Sequence, residues 1–179
     1  MAVPKFTISA KRSVFKTAWF DLMEKNVSND AAPHYSISTH DYVSVFAVTR
    51  DGKFPLVQQF RPAVEQVTLE LPSGHVNEKQ TPEEAARAEL REETGFIANE
   101  LMLLGGLSPD TGRLGNRMWC FFASGVQADR ATEFVPQPGI TPTVYDRPLR
   151  DLILETPAFC SALNRATILM AVAAGHVTL

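Results

Sequence analysis

The stretch GHVNEKQTPEEAARAELREETGF, Gly74 to Phe96, carries the clearest punctuation in the chain. Thr81 is a good helix N-cap, Pro82 is favoured at the first helical position, and Glu84, three residues after Thr81, completes a capping box. Gly95 suits the left-handed residue that ends a helix, so the spacing predicts a helix over Pro82 to Thr94. Within it Glu89, Glu92 and Glu93 fall at i, i+3 and i+4, which places them on one face roughly 5–6 Å apart. Like charges at that spacing oppose one another by a few tenths of a kcal/mol per pair. A hard divalent cation such as Mg²⁺ relieves this, because it prefers carboxylate oxygens and commonly links them to phosphates. An ordinary solvated helix face carries similar charges, as the surface pair expected between Glu83 and Arg87 illustrates; the glycines framing both ends favour a site.

Working outward, Thr68 to Leu71 reads as a short strand closed by Pro72-Ser73-Gly74. Tyr42 to Thr49 and Phe54 to Phe60, joined by Asp51-Gly52, read as a hairpin. Residues 5–24 alternate as two strands joined by a basic tip at Lys11-Arg12, with Phe6, Ile8, Val14, Phe15, Trp19, Phe20 and Leu22 inward. Asn26 to His34 is rich in turn formers and reads as a loop. Beyond the helix, strands are expected at Leu101 to Leu107 and Met118 to Ser124, separated by the polar loop Ser108 to Arg117. Residues 125–147 read as Pro-rich and irregular, and Leu149 to Leu154 and Pro157 to Ala174 as helical.

A chain of 179 residues with 45% hydrophobic residues can bury one ordinary core. The formal charge of −3, with Lys and Arg scattered, argues against a nucleic-acid partner. Cys120 and Cys160 lack CxxC spacing and lie among apolar residues, which predicts two buried thiols in a reducing compartment. The N-terminal residues contain no apolar signal-like run, and the longest apolar run, Ile168 to Ala174, is too short to span a bilayer. The expectation is a cytosolic protein without a membrane partner.

The quoted stretch resembles the signature of the Nudix hydrolases: Gly, five residues, Glu, seven residues, then Arg-Glu-apolar-any-Glu-Glu-any-Gly-apolar. Gly74, Glu89, Leu90, Glu92, Glu93, Gly95 and Phe96 match in register. The frame DYVSVFAVTRDGKFPLVQQFRPA followed by TLELPSGHV is similar to the ADP-ribose pyrophosphatase branch, and the likeness runs from about Val14 to Gln127. It departs at Gln80, where the pattern has Glu, at Ala88, where it has Arg, and at Asn77, where an acid is frequent. A lost internal salt bridge, rather than a lost metal ligand, accounts for a paired change at 80 and 88.

The resemblance implies an α/β/α sandwich, a mixed sheet and a smaller antiparallel sheet between helices, over residues 43–179. It implies an N-terminal strand segment, 1–42, that serves dimerisation. It implies Mg²⁺, with Mn²⁺ as the alternative, held by Glu89, Glu93 and the main-chain carbonyl of Ser73. The general base is Glu133 or Glu92, because QPGI, Gln137 to Ile140, places an amide where the branch has a glutamate, and an amide takes no proton at neutral pH. Arg61 suits a diphosphate bidentately. Glu70, acidic in an apolar strand end, either meets a cation such as Arg61 or contacts substrate. Arg113, beside Asp110, lies on a loop able to close over substrate. Trp19 and Trp119 read as core, and His75 as structural or exposed. The expected activity is hydrolysis of a nucleoside diphosphate-sugar, ADP-ribose first, to AMP and ribose 5-phosphate by a homodimer; the other class is a Nudix-fold nucleotide-binding or regulatory domain.

Overall fold

The computed structural model describes residues 5–28, 30–131 and 133–179. The chain divides into two compact units, one made of the described residues up to Asp41 with Ser108–Arg117, the other of Tyr42–Leu107 with Met118–Leu179.

In the first unit, β1 (Ile8–Lys16), β2 (Asp21–Val27) and β3 (His34–Ser38) form an antiparallel sheet in that order. The reversal lies at Thr17 to Phe20, not at Lys11-Arg12. There the Thr17 hydroxyl accepts from Trp19 N at 3.0 Å and Phe20 N at 2.9 Å, a side-chain turn that outcompetes the basic pair. Arg12 sits mid-strand and pairs across to Glu24 at 2.8 Å. The inward assignment also fails: Phe6, Ile8, Val14, Phe15, Trp19 and Phe20 are between 38% and 73% exposed, and Leu22 is half-buried. Alternation creates an apolar face, but a face is buried only where a second layer covers it. The Ser108–Arg117 loop is tied to β3 by Ile37 N donating to Arg113 O at 2.7 Å and Gly115 N to Ile37 O at 3.1 Å.

The second unit holds a mixed sheet of β4 (Tyr42–Thr49), β7 (Ser73–His75), β8 (Phe96–Ile97), β9 (Met102–Leu107) and β10 (Met118–Ala128). Its order is β7-β4-β10-β8, with β9 on β10; β4 and β10 run parallel and the remaining pairs are antiparallel. A smaller antiparallel sheet has β5 (Phe54–Arg61) between β11 (Ile140–Tyr145) and β6 (Gln66–Glu70). The period of two in β4 sends its residues to opposite faces. Val43, Val45 and Ala47 meet Ala85, Ala86 and Leu90 of α1 (Pro82–Thr94). Phe46, with Phe122 of β10, meets Leu56, Leu69, Leu152 of α2 (Leu149–Glu155) and Ile168 of α3 (Ala162–Ala173). Helices therefore cover both faces, the expected sandwich. Each fully buried Leu, Ile or Phe contributes about 1.5–3 kcal/mol.

The expected hairpin of β4 and β5 is not formed: the chain turns at Asp51-Gly52, but the two strands pair in different sheets. Further along, the structure differs from the sequence expectation again. β10 continues to Ala128 through a bulge between Ser124 and Val126, where Gly125 takes φ +62°. Residues 140–145 form a strand despite Pro142, since β11 is an edge strand paired on one side alone, with β5. α3 starts at Ala162, because Ser161 caps it by accepting from Asn164 N at 3.3 Å. Cys160 then lies before the cap and is exposed, whereas Cys120 is buried as expected. Trp119 packs half-buried beside the Val43 cluster. No helix among the described residues is long and apolar enough to cross a membrane.

Candidate active site

α1 carries both halves of the capping box: Glu84 N donates to the Thr81 hydroxyl at 3.2 Å and Thr81 N to the Glu84 carboxylate at 2.8 Å. Gly95 ends it at φ +74°, its N–H donating to Arg91 O. The cap fixes where the helix begins, and thereby which turn faces β7.

The glutamates of one helical face enter three environments. Glu93 is buried, 3% exposed, and accepts from Ser73 N of β7 at 2.8 Å. Glu89 lies over Gly74 so closely that a Cβ there would stand 1.8 Å from its Oε1. Glu92 is exposed on the flank and accepts from Gln137 Nε2 at 3.2 Å. Burial pushes the Glu93 carboxyl up to about 8, the Ser73 N–H offsetting part of this while Glu89 adds to it. Burial also pushes Glu89 up to about 7, helped by Glu92.

Among the described residues no group of three His, Cys, Asp or Glu side chains is arranged to hold a metal ion. A cation here would rest on the Glu89 and Glu93 carboxylates, main-chain oxygen and oxygens from water or substrate. That hard-oxygen set, in which the buried Glu93 has one backbone N–H partner and the half-buried Glu89 lies beside it, fits a hard divalent cation.

Beside Ser73, Arg61 and Glu70 form a bidentate pair, Nε to Oε1 at 2.8 Å and Nη2 to Oε2 at 2.6 Å. Thr68 donates to the same carboxylate at 2.6 Å. Burial alone would raise the Glu70 pKa, but Arg61 and Thr68 together outweigh it and hold the carboxyl below its ordinary value. Glu70 thus makes the salt bridge that is one of its two readings, and both it and Arg61 stand at a cavity wall. That cavity, of about 460 Å³, is lined among others by Tyr42, Arg61, Glu70, Ser73, Gly74 and Asn164. Asn164 is absent from the sequence reading. It is 4% exposed and its Oδ1 accepts from Leu71 N at 3.1 Å, docking the start of α3 onto the site. A Ser followed three residues later by Asn is the only local signal for it.

A second cavity, of about 470 Å³, lies on the flank of α1 and is lined by Ala88, Arg91, Glu92, Glu133, Phe134 and Gln137, among others. The two base candidates, Glu92 and Glu133, therefore face one space. Ala88 forms part of its wall, while the Gln80 amide oxygen accepts from Asn77 Nδ2 at 2.9 Å. Neither Gln80 nor Ala88 lines the cavity at Ser73 and Gly74. Arg113 stands in the first unit, 3.7 Å from Asp110, with its side chain 79% exposed.

A family described as NUDIX domain matches residues 38–139. The chain is 38% identical over 95 residues to ADP-ribose pyrophosphatase of Bacillus subtilis (strain 168), covering 51% of each protein. It is 29% identical over 84 residues to methanol dehydrogenase activator of Bacillus methanolicus, covering 47% of this chain and 45% of that protein. It is 49% identical over 41 residues to ADP-sugar pyrophosphatase of Mus musculus, covering 23% and 19%. The chain spans about half, or less, of the length of these curated relatives. A crystal structure of an ADP compounds hydrolase aligns over 99% of this chain and 100% of that one, with a TM-score of 0.79 at 21% identity, and thus shares the fold.

Proposed function

This chain belongs to the Nudix domain family, and we propose that it hydrolyses the diphosphate bridge of a nucleoside diphosphate-sugar, ADP-ribose first, giving AMP and ribose 5-phosphate. The observation that carries this reading is the buried Glu93, held by Ser73 N beside the cavity that Arg61 and Glu70 line. The similarity to ADP-ribose pyrophosphatase and ADP-sugar pyrophosphatase supports the substrate class.

Glu89, Glu93 and the Ser73 carbonyl would hold Mg²⁺, with Mn²⁺ as the alternative, and the cation would supply charge that polarises a diphosphate oxygen and acidifies water. Arg61, oriented by Glu70, grips the diphosphate as a planar donor. Glu92 or Glu133, facing one cavity, takes the proton of the attacking water. The water oxygen bonds to phosphorus and the bridging P–O bond breaks, its oxygen leaving with the other phosphate. The free thiols Cys120 and Cys160 support a reducing, cytosolic setting. The exposed Ile8, Phe15 and Trp19 support a homodimer built on residues 1–42. A second reading, a nucleotide-binding domain with weak catalysis, draws on the amide of Gln137 at Glu92.

Incubation with ADP-ribose, GDP-mannose and NADH, with Mg²⁺ or with chelator, tests the proposal. Metal-dependent release of a nucleoside monophosphate supports the hydrolase and names its preferred substrate. Binding without product in any mixture rejects it in favour of the second reading.

A further inference from the structure

Gln137 and Glu92 line one cavity on the flank of α1, and the Gln137 side chain is a donor to the site. A carboxylate offers only acceptor oxygens, so the amide must present its N–H to Glu92, as the 3.2 Å contact from Nε2 to Oε2 has it. The segment bearing Gln137 is fastened to the same flank of α1 at neighbouring points. Arg91 Nε meets Asp129 Oδ2 at 2.7 Å, and Asp129 N donates to Gly95 O at 2.8 Å. The Phe134 ring fills the space over Gly95, where an added Cβ would stand 2.9 Å from it. Arg91, Glu92 and Gly95 line the wall of one cavity, so these fastenings lie close beside Glu92. An exposed glutamate otherwise samples many rotamers, and holding it removes that freedom before substrate arrives.

We propose that Gln137 is a positioning residue for the hydrolysis, which donates to Glu92 and fixes the direction of its carboxylate in the cavity that both line. This role rests on the hydrolase reading above. It makes the amide a partner of Glu92.

Four variants test it: Gln137→Ala, Gln137→Glu, Glu92→Ala and Gln137→Ala combined with Glu92→Ala. Gln137→Ala should lower kcat about tenfold while KM stays within about twofold, since alignment is lost and binding is not. Gln137→Glu, which sets two carboxylates against each other, should lower kcat at least as far; equal or faster turnover would mean that position 137 wants a base, and would overturn the role. In the Glu92→Ala background, Gln137→Ala should have no further effect. An additional tenfold loss there would mean that Gln137 acts independently of Glu92, and would also overturn it. A readout without turnover is the side-chain NH₂ signal of Gln137 by NMR, expected to move in Glu92→Ala and to stay put if the contact is not made in solution. Wild-type protein that releases no nucleoside monophosphate ends the hydrolase reading and this role together, whereas active wild type with an unchanged Gln137→Ala ends this role alone.

Discussion

Glu70 and Glu93 are hidden to the same degree, 7% and 3% exposed, and both belong to the surroundings of Ser73, yet their protons behave in opposite ways. At Glu70 the fold supplies a guanidinium fork and a hydroxyl, and the carboxyl is held below its ordinary value. At Glu93 it supplies one backbone N–H and a second carboxylate nearby, and the carboxyl rises to about 8. Burial is common to both; the partner decides the sign. The pair around Glu70 is complete within the chain, whereas the partner proposed for the carboxylates on α1 is a cation from outside it.

The largest effect that would break this contrast is in turnover. Glu93→Gln keeps the shape and the hydrogen bond from Ser73 but removes the charge, and should lower kcat about 10²–10³-fold with the fold intact. Activity within tenfold of wild type, measured with saturating Mg²⁺, would remove Glu93 from the metal site. Gly74→Ala should follow, with a loss of about ten- to a hundredfold, because its Cβ would displace the Glu89 carboxylate from 1.8 Å away. Retained Mg²⁺ affinity in that variant, by calorimetry, would show the carboxylate tolerates the shift.

Stability separates the two sites next. Arg61→Ala leaves Glu70 buried beside Thr68 without its cation and should cost about 2–3 kcal/mol in chemical denaturation, the range for a broken buried pair reduced because Arg61 is 42% exposed. The pH dependence sharpens the comparison. Glu93 has a folded pKa above its unfolded value, so its contribution is fully present below pH 4.5 and is lost as pH rises through about 8. Glu70 has the reverse sign: its contribution is present above the unfolded pKa and is lost as pH falls through the lowered folded value. In chelator, the melting temperature should therefore fall between pH 5 and 8, and Glu93→Gln should flatten that slope; a slope unchanged by the substitution would assign it elsewhere. The smallest effect belongs to the exposed Glu83 and Arg87 pair, where Arg87→Ala should change stability by less than about 1 kcal/mol.

What the sequence made legible is what is settled within a few residues. Thr81, Pro82, Glu84 and Gly95 placed α1 to the residue, since each acts on the helix's own backbone. The same periodicity put Glu89, Glu92 and Glu93 on one face but said nothing of their different fates. Those depend on Ser73 N and on Gln137, which reach them from other elements. The β1–β2 reversal went to Thr17 because a hydroxyl can accept from two backbone N–H groups there, a local choice that the conspicuous Lys11-Arg12 obscured. β11 hid behind its proline, and Asn164 behind an assignment that began α3 too early.

The parallel alignment of β4 with β10 sets Tyr42 against Met118 and Ser44 against Cys120. Neighbours so distant along the chain cannot meet until most of the intervening polypeptide has been made, and closing that span precedes any reward from the contact. On the ribosome, the emerging β4, apolar on both faces, must wait through the synthesis of α1 for its partner. Refolding in the test tube, where the whole chain is present at once, should be faster than that wait, and exposure of β4 in the interval is the point at which a chaperone would act.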